Sequence, residues 1–258
     1  MDGPTERAKN PVQAAQTTLN IIDILRERNG ARLTELAEVL DYPKSSIHNY
    51  LSTLLQEGYV IKDEDGVYHV GLKFLEIGSV ARQRRRIYDI AKPEVISLAE
   101  DTGELANLLV EENGKGVYIH REQGENAVKV DSYIGQRVHL HNTALGKAIL
   151  AHLPTEEVEQ ILDTHGLPAT TENTVTDRET LFDQFTEIRD RGVAFDDEER
   201  LRGLRCVAAP ILTQRDQVVG AISVAGPASE FIDDRFHSEL PNRLRKSANI
   251  IELNITHG

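Results

Sequence analysis

The stretch Leu33–Val70, LTELAEVLDYPKSSIHNYLSTLLQEGYVIKDEDGVYHV, reads helix, tight turn, helix, then a two-stranded hairpin. Leu33–Leu40 is a short helix, with Thr34 placed to cap it through its hydroxyl. Asp41-Tyr42-Pro43 turns the chain, and Pro43 suits the first turn of the next helix, where its missing N–H is not needed. That helix runs from about Lys44 to Glu57 and stops at Gly58, a left-handed cap. Ile47, Leu51, Leu54 and Leu55 share the face that must pack inward. Lys44, Ser45, His48, Asn49 and Ser52 share the opposite face, which is short-armed, polar and suited to base edges and phosphates. Tyr59–Lys62 and Val67–Val70 are β-prone runs joined by Asp63-Glu64-Asp65-Gly66, a hairpin whose acidic tip is a poor phosphate partner. This is the order of a winged helix-turn-helix, a shape that commonly sets its second helix in the major groove.

Upstream, Val12, Ala15, Leu19, Ile22 and Leu25 recur at spacings of three and four, which predicts an amphipathic helix over 11–28. Downstream, helical spacing returns from Leu72 to about Ile90, with Leu72, Leu75, Gly78 and Ser79 on its inner side. Arg82, Arg84, Arg85 and Arg86 form a basic cluster there, which most often is only a solvated face. Pro93 opens a further helix to about Asp101. Beyond Gly103, Leu105–Glu111, Gly116–Arg121 and Ala127–Ser132 are strand-like, with Asn113-Gly114 a hairpin turn between the first two. Helices follow at Thr143–His152, Thr155–Thr164 and Asp177–Arg191, then strands at Val193–Phe195, Arg205–Thr213 and Gln217–Ala225, and a final helix from Asp233. The predicted architecture is α+β: a winged helix-turn-helix over 1–70, a linker helix over 71–90, and an α+β sheet domain over 91–258.

The 258 residues carry a net charge of −13, unevenly spread. Residues 1–92 hold 13 basic and 13 acidic side chains, so the whole deficit lies behind them. A neutral front joined to an acidic rear fits a DNA-reading module on a sensor that need not touch DNA. Nine Lys against 20 Arg, with a surplus of surface acid, point to a salt-loving host. No apolar run is long enough to span a bilayer, and Met1–Asn10 is polar, so the chain is expected in the cytoplasm. A single cysteine, Cys206, excludes an intrachain disulfide and a multi-cysteine zinc site.

In this order, several segments make the chain resemble the IclR family of transcription regulators. They are Pro43-Lys44-Ser45-Ser46-Ile47-His48, the run Leu140–Ala151, Arg191-Gly192-Val193-Ala194, Cys206-Val207-Ala208-Ala209-Pro210, and Ala221–Pro227. The resemblance covers nearly the whole chain from about Pro11. It implies a winged helix, a linker helix and a GAF-like sensor that binds a small molecule. It also implies a homodimer, or a dimer of such dimers, on a palindromic operator. Repression and activation both occur in the family. The exposed polar side of the two short helices supplies the expected DNA contacts, Thr34, Lys44, Ser45, Ser46, His48, Asn49 and Ser52. The resemblance places effector contacts at Ala144 and Leu145, and at Asp196, Leu204, Cys206 and Ser223, with Val130 and Val138 on the apolar side. Ala225 stands where some relatives carry a serine, which removes one hydroxyl donor.

The chemistry agrees with that assignment. A helix start at Thr143-Ala144-Leu145 offers free N–H groups to an anion, Ser223 adds a hydroxyl, and the Cys206 thiol is a weak donor. An organic acid or sugar acid fits. Asp196 is awkward beside a carboxylate unless it is protonated or bonds a ligand hydroxyl. The plainer readings stand alongside: Cys206 and Ser223 as core, and Asp196, Asp197, Glu198 and Glu199 as a solvated loop, with Asp196 the one acid worth assigning to a ligand. His139 and His141, alternating along a strand, join Asp196 and Cys206 in a metal set only on the weakest reading; no metal or cofactor is expected. The expected function is an effector-responsive DNA-binding regulator, with no enzymatic activity, that controls a catabolic operon. The alternatives are a GAF-like thiol enzyme using Cys206 and a winged-helix adaptor that binds protein.

Overall fold

The computed structural model describes residues 9–130 and 132–257, so most of the polar start Met1–Asn10 lies outside the described residues. The chain divides into two compact units at Arg84/Arg85.

The first unit holds α1 (Gln13–Glu27), β1 (Ala31–Arg32), α2 (Leu33–Leu40), α3 (Lys44–Gln56), β2 (Val60–Lys62), β3 (Val67–Val70) and α4 (Lys73–Gln83). Ile47, Leu51 and Leu54 of α3 close on Leu36 of α2, Ile21 and Leu25 of α1, and Tyr68 of β3. Each such fully buried side chain contributes about 1.5–3 kcal/mol. Gly58 ends α3 with φ +74°, as its sequence position predicts. The wing gains a third strand, in the order β1-β3-β2, because Ala31 pairs with Tyr68. Two residues are too few for periodicity to reveal.

Three expectations change here. Thr34 does not cap α2: β1 runs straight into the helix, Arg32 is its N-cap, and Glu35 accepts the Arg32 N–H at 2.6 Å. Pro43 stands one residue ahead of α3, as its N-cap. The inward face of α1 is Thr17, Ile21 and Leu25, while Val12 and Leu19 are exposed. Thr17 is buried without cost to its hydroxyl, which donates to the Gln13 carbonyl (3.0 Å) and meets the Tyr42 hydroxyl at 3.2 Å. α4 buries none of its residues, and Leu75, Ile77 and Val80 stand exposed, with Leu72 just ahead of it.

The second unit is a six-stranded antiparallel sheet with helices on both faces. Its elements are α5 (Ile87–Thr102), β4 (Leu105–Glu112), β5 (Lys115–Gln123), β6 (Arg137–His139), α6 (Ala144–Leu150), α7 (Thr155–His165), α8 (Arg178–Arg191), β7 (Ala194–Asp197), β8 (Leu204–Leu212), β9 (Val218–Pro227), a π-helical turn Arg235–Glu239, and α9 (Leu240–His257). The strand order is β6-β5-β4-β9-β8-β7. One core packs α5 and α9 against one face, with Val95, Leu98, Leu244 and Ile251 on Val207, Ile222 and Val224. The other core packs α6, α7 and α8 on Leu109, Tyr118, Ala208 and Ala221.

The expected continuous helix over Leu72–Ile90 is broken between Gln83 and Ile87, and Pro93 lies inside α5 rather than at its start. A proline there costs about 3 kcal/mol. Burial of Ile87, Tyr88, Ala91 and Val95 offsets that cost, and the carbonyl of Asp89 that loses its donor lies on the exposed side. Ala127–Val130 carries no strand, and Asp131 lies outside the described residues; β6 pairs with β5 in its place.

α6 begins at Ala144, with Thr143 as N-cap accepting the Gly146 N–H at 2.9 Å. Gly146 is required by close approach: a Cβ there would lie 2.1 Å from the Leu140 carbonyl oxygen. Gly146→Ala is therefore expected to cost about 1–3 kcal/mol in urea unfolding, since the obstacle is backbone.

Candidate functional site

Two surfaces carry the chemistry. The first is α3. With Ile47, Leu51 and Leu54 buried, Lys44, Ser45, His48, Asn49 and Ser52 are exposed along one side, and Ser46 is half-buried at the edge. Thr34 is exposed on α2. His48 Nδ1 and Ser52 Oγ lie 3.5 Å apart, one helical turn along the same face. In the wing, Asp63 spends its carboxylate internally: Oδ1 accepts the Val67 N–H (2.8 Å) and Oδ2 meets His69 Nε2 (3.0 Å). The His69 contact holds the Asp63 carboxyl below its usual range.

The second is a cavity in the sheet domain. Sheet register builds its floor. Asp196, Cys206, Ala225 and Leu105 lie in one row across β7, β8, β9 and β4. Two residues along, on the same face, Arg121, Asn107, Ser223 and Ala208 form the next row across β5, β4, β9 and β8. Leu145 and Thr143 from the start of α6, Arg200 and Leu204 after β7, Tyr118 of β5, and Val130 and Ser132 complete the wall. The cavity volume is about 20 Å³, room for little more than one water.

Of the eight expected effector residues, six line this cavity: Val130, Leu145, Asp196, Leu204, Cys206 and Ser223. Val138 and Ala144 do not. Val138 sits opposite Gly116 in β6, and both residues pack into the helix-side core. The sequence reading does not include Asn107, Tyr118 and Arg200, because only contacts distant in sequence, strand pairing for Asn107 and the Arg200–Tyr118 hydrogen bond for the other two, bring them to the cavity.

Burial decides the charge states. Asp196 is 3% exposed. Burial, reinforced by nearby Glu199, pushes its carboxyl up to about 7, against the pull of Lys147 and two backbone N–H donors. Those donors are Glu199 (2.7 Å) and Arg200 (3.3 Å), both to Oδ1. Burial also pushes the Cys206 thiol up to about 12. A thiol held protonated at neutral pH is a poor nucleophile, which argues against the thiol-enzyme alternative.

Of the acidic run, Asp197 is exposed as a solvated loop requires, but Asp196 and Glu199 are buried. Glu199 is buried and paired with the buried Lys147, whose Nζ also donates to Gln184 Oε1 at 3.0 Å. The Glu199 carbonyl accepts from the Thr170 (2.9 Å) and Thr174 (2.6 Å) hydroxyls. The Asp196–Arg200 turn is thus anchored from two sides. The histidines belong elsewhere: Lys115 Nζ lies 3.1 Å from His139 Nε2, and His141 Nε2 lies 3.1 Å from the Pro168 carbonyl. Burial drops His141 to about 4, so it is neutral near pH 7. No helix among the described residues is long and apolar enough to cross a membrane.

Comparison with known proteins matches both units. Residues 14–64 match the IclR helix-turn-helix domain, and residues 80–253 match the bacterial transcriptional regulator IclR C-terminal family. The chain is 32% identical over 247 residues to the "probable HTH-type transcriptional regulator ArcR" of Halobacterium salinarum, covering 95% of this chain and 94% of that one. It is 34% identical over 235 residues to the transcriptional repressor IclR of Escherichia coli, covering 90% and 86%. The crystal structure of the Thermotoga maritima IclR superposes with a TM-score of 0.81 at 30% identity, covering 94% of this chain and 98% of that one.

Proposed function

Since the chain belongs to the IclR family of transcriptional regulators, we propose that its operator affinity is set by a small organic or sugar acid bound in the sheet-domain cavity. The carrying observation is that one chain joins a polar, exposed α3 face, backed by a buried apolar face, to an enclosed cavity of mixed polarity. Lys44, Ser45, Ser46, His48, Asn49 and Ser52 are the DNA-contact set, with Thr34 of α2 at its border. The acidic wing contributes little to phosphate binding. The protein acts in the cytoplasm as a homodimer, or a pair of dimers, on a palindromic operator beside catabolic genes. Support for self-association comes from Leu72, Leu75, Ile77 and Val80, an exposed apolar series on and beside α4. Effector binding would alter how two winged helices are spaced over half-sites about 34 Å apart, with a coupling of about 1–3 kcal/mol.

Footprinting on the DNA upstream of the gene tests this reading. A short symmetric protected patch is expected, and uniform coating would overturn it. His48→Ala/Asn49→Ala is expected to weaken specific binding by about 10–100-fold, since one good base contact is worth about 1–3 kcal/mol. Its salt dependence should barely change, because neither residue carries a fixed cation to a phosphate. Unchanged affinity would move the reading surface off α3.

A further inference from the structure

The start of α4 is tied to the end of α3. Lys73 Nζ donates to the carbonyl of Glu57, the C-cap of α3, at 2.7 Å, and stands 4.5 Å from the centre of the Tyr59 ring. Phe74 meets the same ring edge-on, with ring centres 5.2 Å apart. Gly71 packs so closely there that a Cβ on it would lie 2.6 Å from the Gly58 carbonyl oxygen, and its N–H donates to the Tyr59 carbonyl at 2.8 Å. An ammonium at the negative end of a helix and over an aromatic face is favoured on both counts. Lys73 forms no ion pair with a carboxylate among the described residues, so its charge is spent at this joint. Beyond the joint α4 buries nothing, and Leu75, Ile77 and Val80 stand exposed, so its direction is set at its first turn. The 13 residues of α3 separate Lys73 from Lys44 by about 20 Å. Any influence of Lys73 on DNA therefore runs through the direction of α3.

We propose that Lys73 is a positioning residue that locks α3 to α4, so that the spacing between operator half-sites is selected through the linker helix. This rests on the reading of the protein as a dimer on a palindromic operator, and adds to it the residue that holds each reading helix at a fixed angle. A locked joint concentrates the second reading helix at one separation, whereas a loose joint spreads it over several.

Lys73→Met keeps an unbranched stem over Tyr59 and removes the donor and the charge, while Lys73→Arg keeps both. Spin labels at the exposed Thr53 and Ala81, on a full chain carrying Cys206→Ala and diluted with unlabelled protein, report the α3–α4 geometry without DNA. A narrow distance distribution is expected for the parent and for Lys73→Arg, and one at least twice as wide for Lys73→Met. Binding is then measured to the footprinted operator, to one half-site, and to the operator with its half-sites moved apart by about two base pairs, a fifth of a helical turn. Lys73→Met should weaken the intact operator about tenfold and leave the half-site within about twofold. Its discrimination against the lengthened operator should fall from at least tenfold to under threefold, and Lys73→Arg should restore it. The salt dependence should not change. An unchanged distance distribution in Lys73→Met overturns the inference, and so does spacing discrimination that survives a widened one. A salt slope lowered by about one also overturns it, because Lys73 would then be a phosphate contact. If Lys73→Met does not fold, Tyr59→Leu, which removes the ring under the ammonium, is held to the same outcomes. If the distribution widens but the unaltered protein binds the operator no better than a half-site, the reading as a dimer on a palindrome fails and the lock stands. If the unaltered protein discriminates spacing while the distribution stays narrow in Lys73→Met, the lock fails and that reading stands.

Discussion

Replacing Lys147 with methionine is expected to destabilise the sheet domain by about 3–5 kcal/mol, the usual cost of removing one partner from a buried ion pair. Lys147 and Glu199 are 2% and 6% exposed. Glu199 Oε2 already has no hydrogen-bond partner, so losing the ammonium leaves its carboxylate inside with almost nothing to compensate it. The same loss removes a charge that now pulls the neighbouring Asp196 toward ionisation. Urea unfolding of the single variant measures the effect. Lys147→Met/Glu199→Leu should recover most of it, because two apolar groups of similar volume need no solvation. A double variant as weak as the single one would locate the damage in packing rather than charge.

The second large effect is pH-dependent. Folding raises the Asp196 carboxyl from an ordinary 3.8 to about 7, so between those values the folded chain holds a proton that the unfolded chain releases. The stabilisation from this group is complete below about pH 4 and is lost as pH climbs through 7. Asp196→Asn keeps an oxygen to accept the Glu199 and Arg200 N–H groups and has no proton to lose. Relative to the unaltered protein, the variant should gain about 1.4 kcal/mol per pH unit between roughly pH 4 and 7, levelling off near 4 kcal/mol above that. Unfolding midpoints at pH 5, 6, 7 and 8 provide the comparison. A gap that does not change with pH would mean that Asp196 ionises as an exposed carboxylate does.

What could be read from the amino acids divides along physical lines. The α3 faces were legible because a helix closes its pattern within four residues, and Ile47, Leu51 and Leu54 leave His48, Asn49 and Ser52 nowhere to point but outward. α1 forms where the spacing predicts it, but its inward face is shifted because apolar residues lie on several of its sides, and the buried polar position, Thr17, is satisfied by Tyr42, a partner 25 residues away. The cavity was half legible. Leu145, Asp196, Cys206 and Ser223 sit in segments whose order matched a known family. Asn107, Tyr118 and Arg200 reach it only through long-range pairings such as Asn107 with Ser223, which leave no local periodicity. Glu199 was hidden likewise: four consecutive acids look like a solvated turn until Lys147, 52 residues earlier, is found against the last of them.

At β8 and β9 the two rows of the cavity floor carry short side chains, Cys206, Ala208, Ser223 and Ala225, rising from a continuous hydrogen-bonded ladder. Exchanging one for another, such as Ala225→Ser, alters which donor meets a guest while every strand keeps its neighbour. Recognition can therefore diversify by single small steps on a scaffold that need not be rebuilt, and new guests can be accepted without loss of folding.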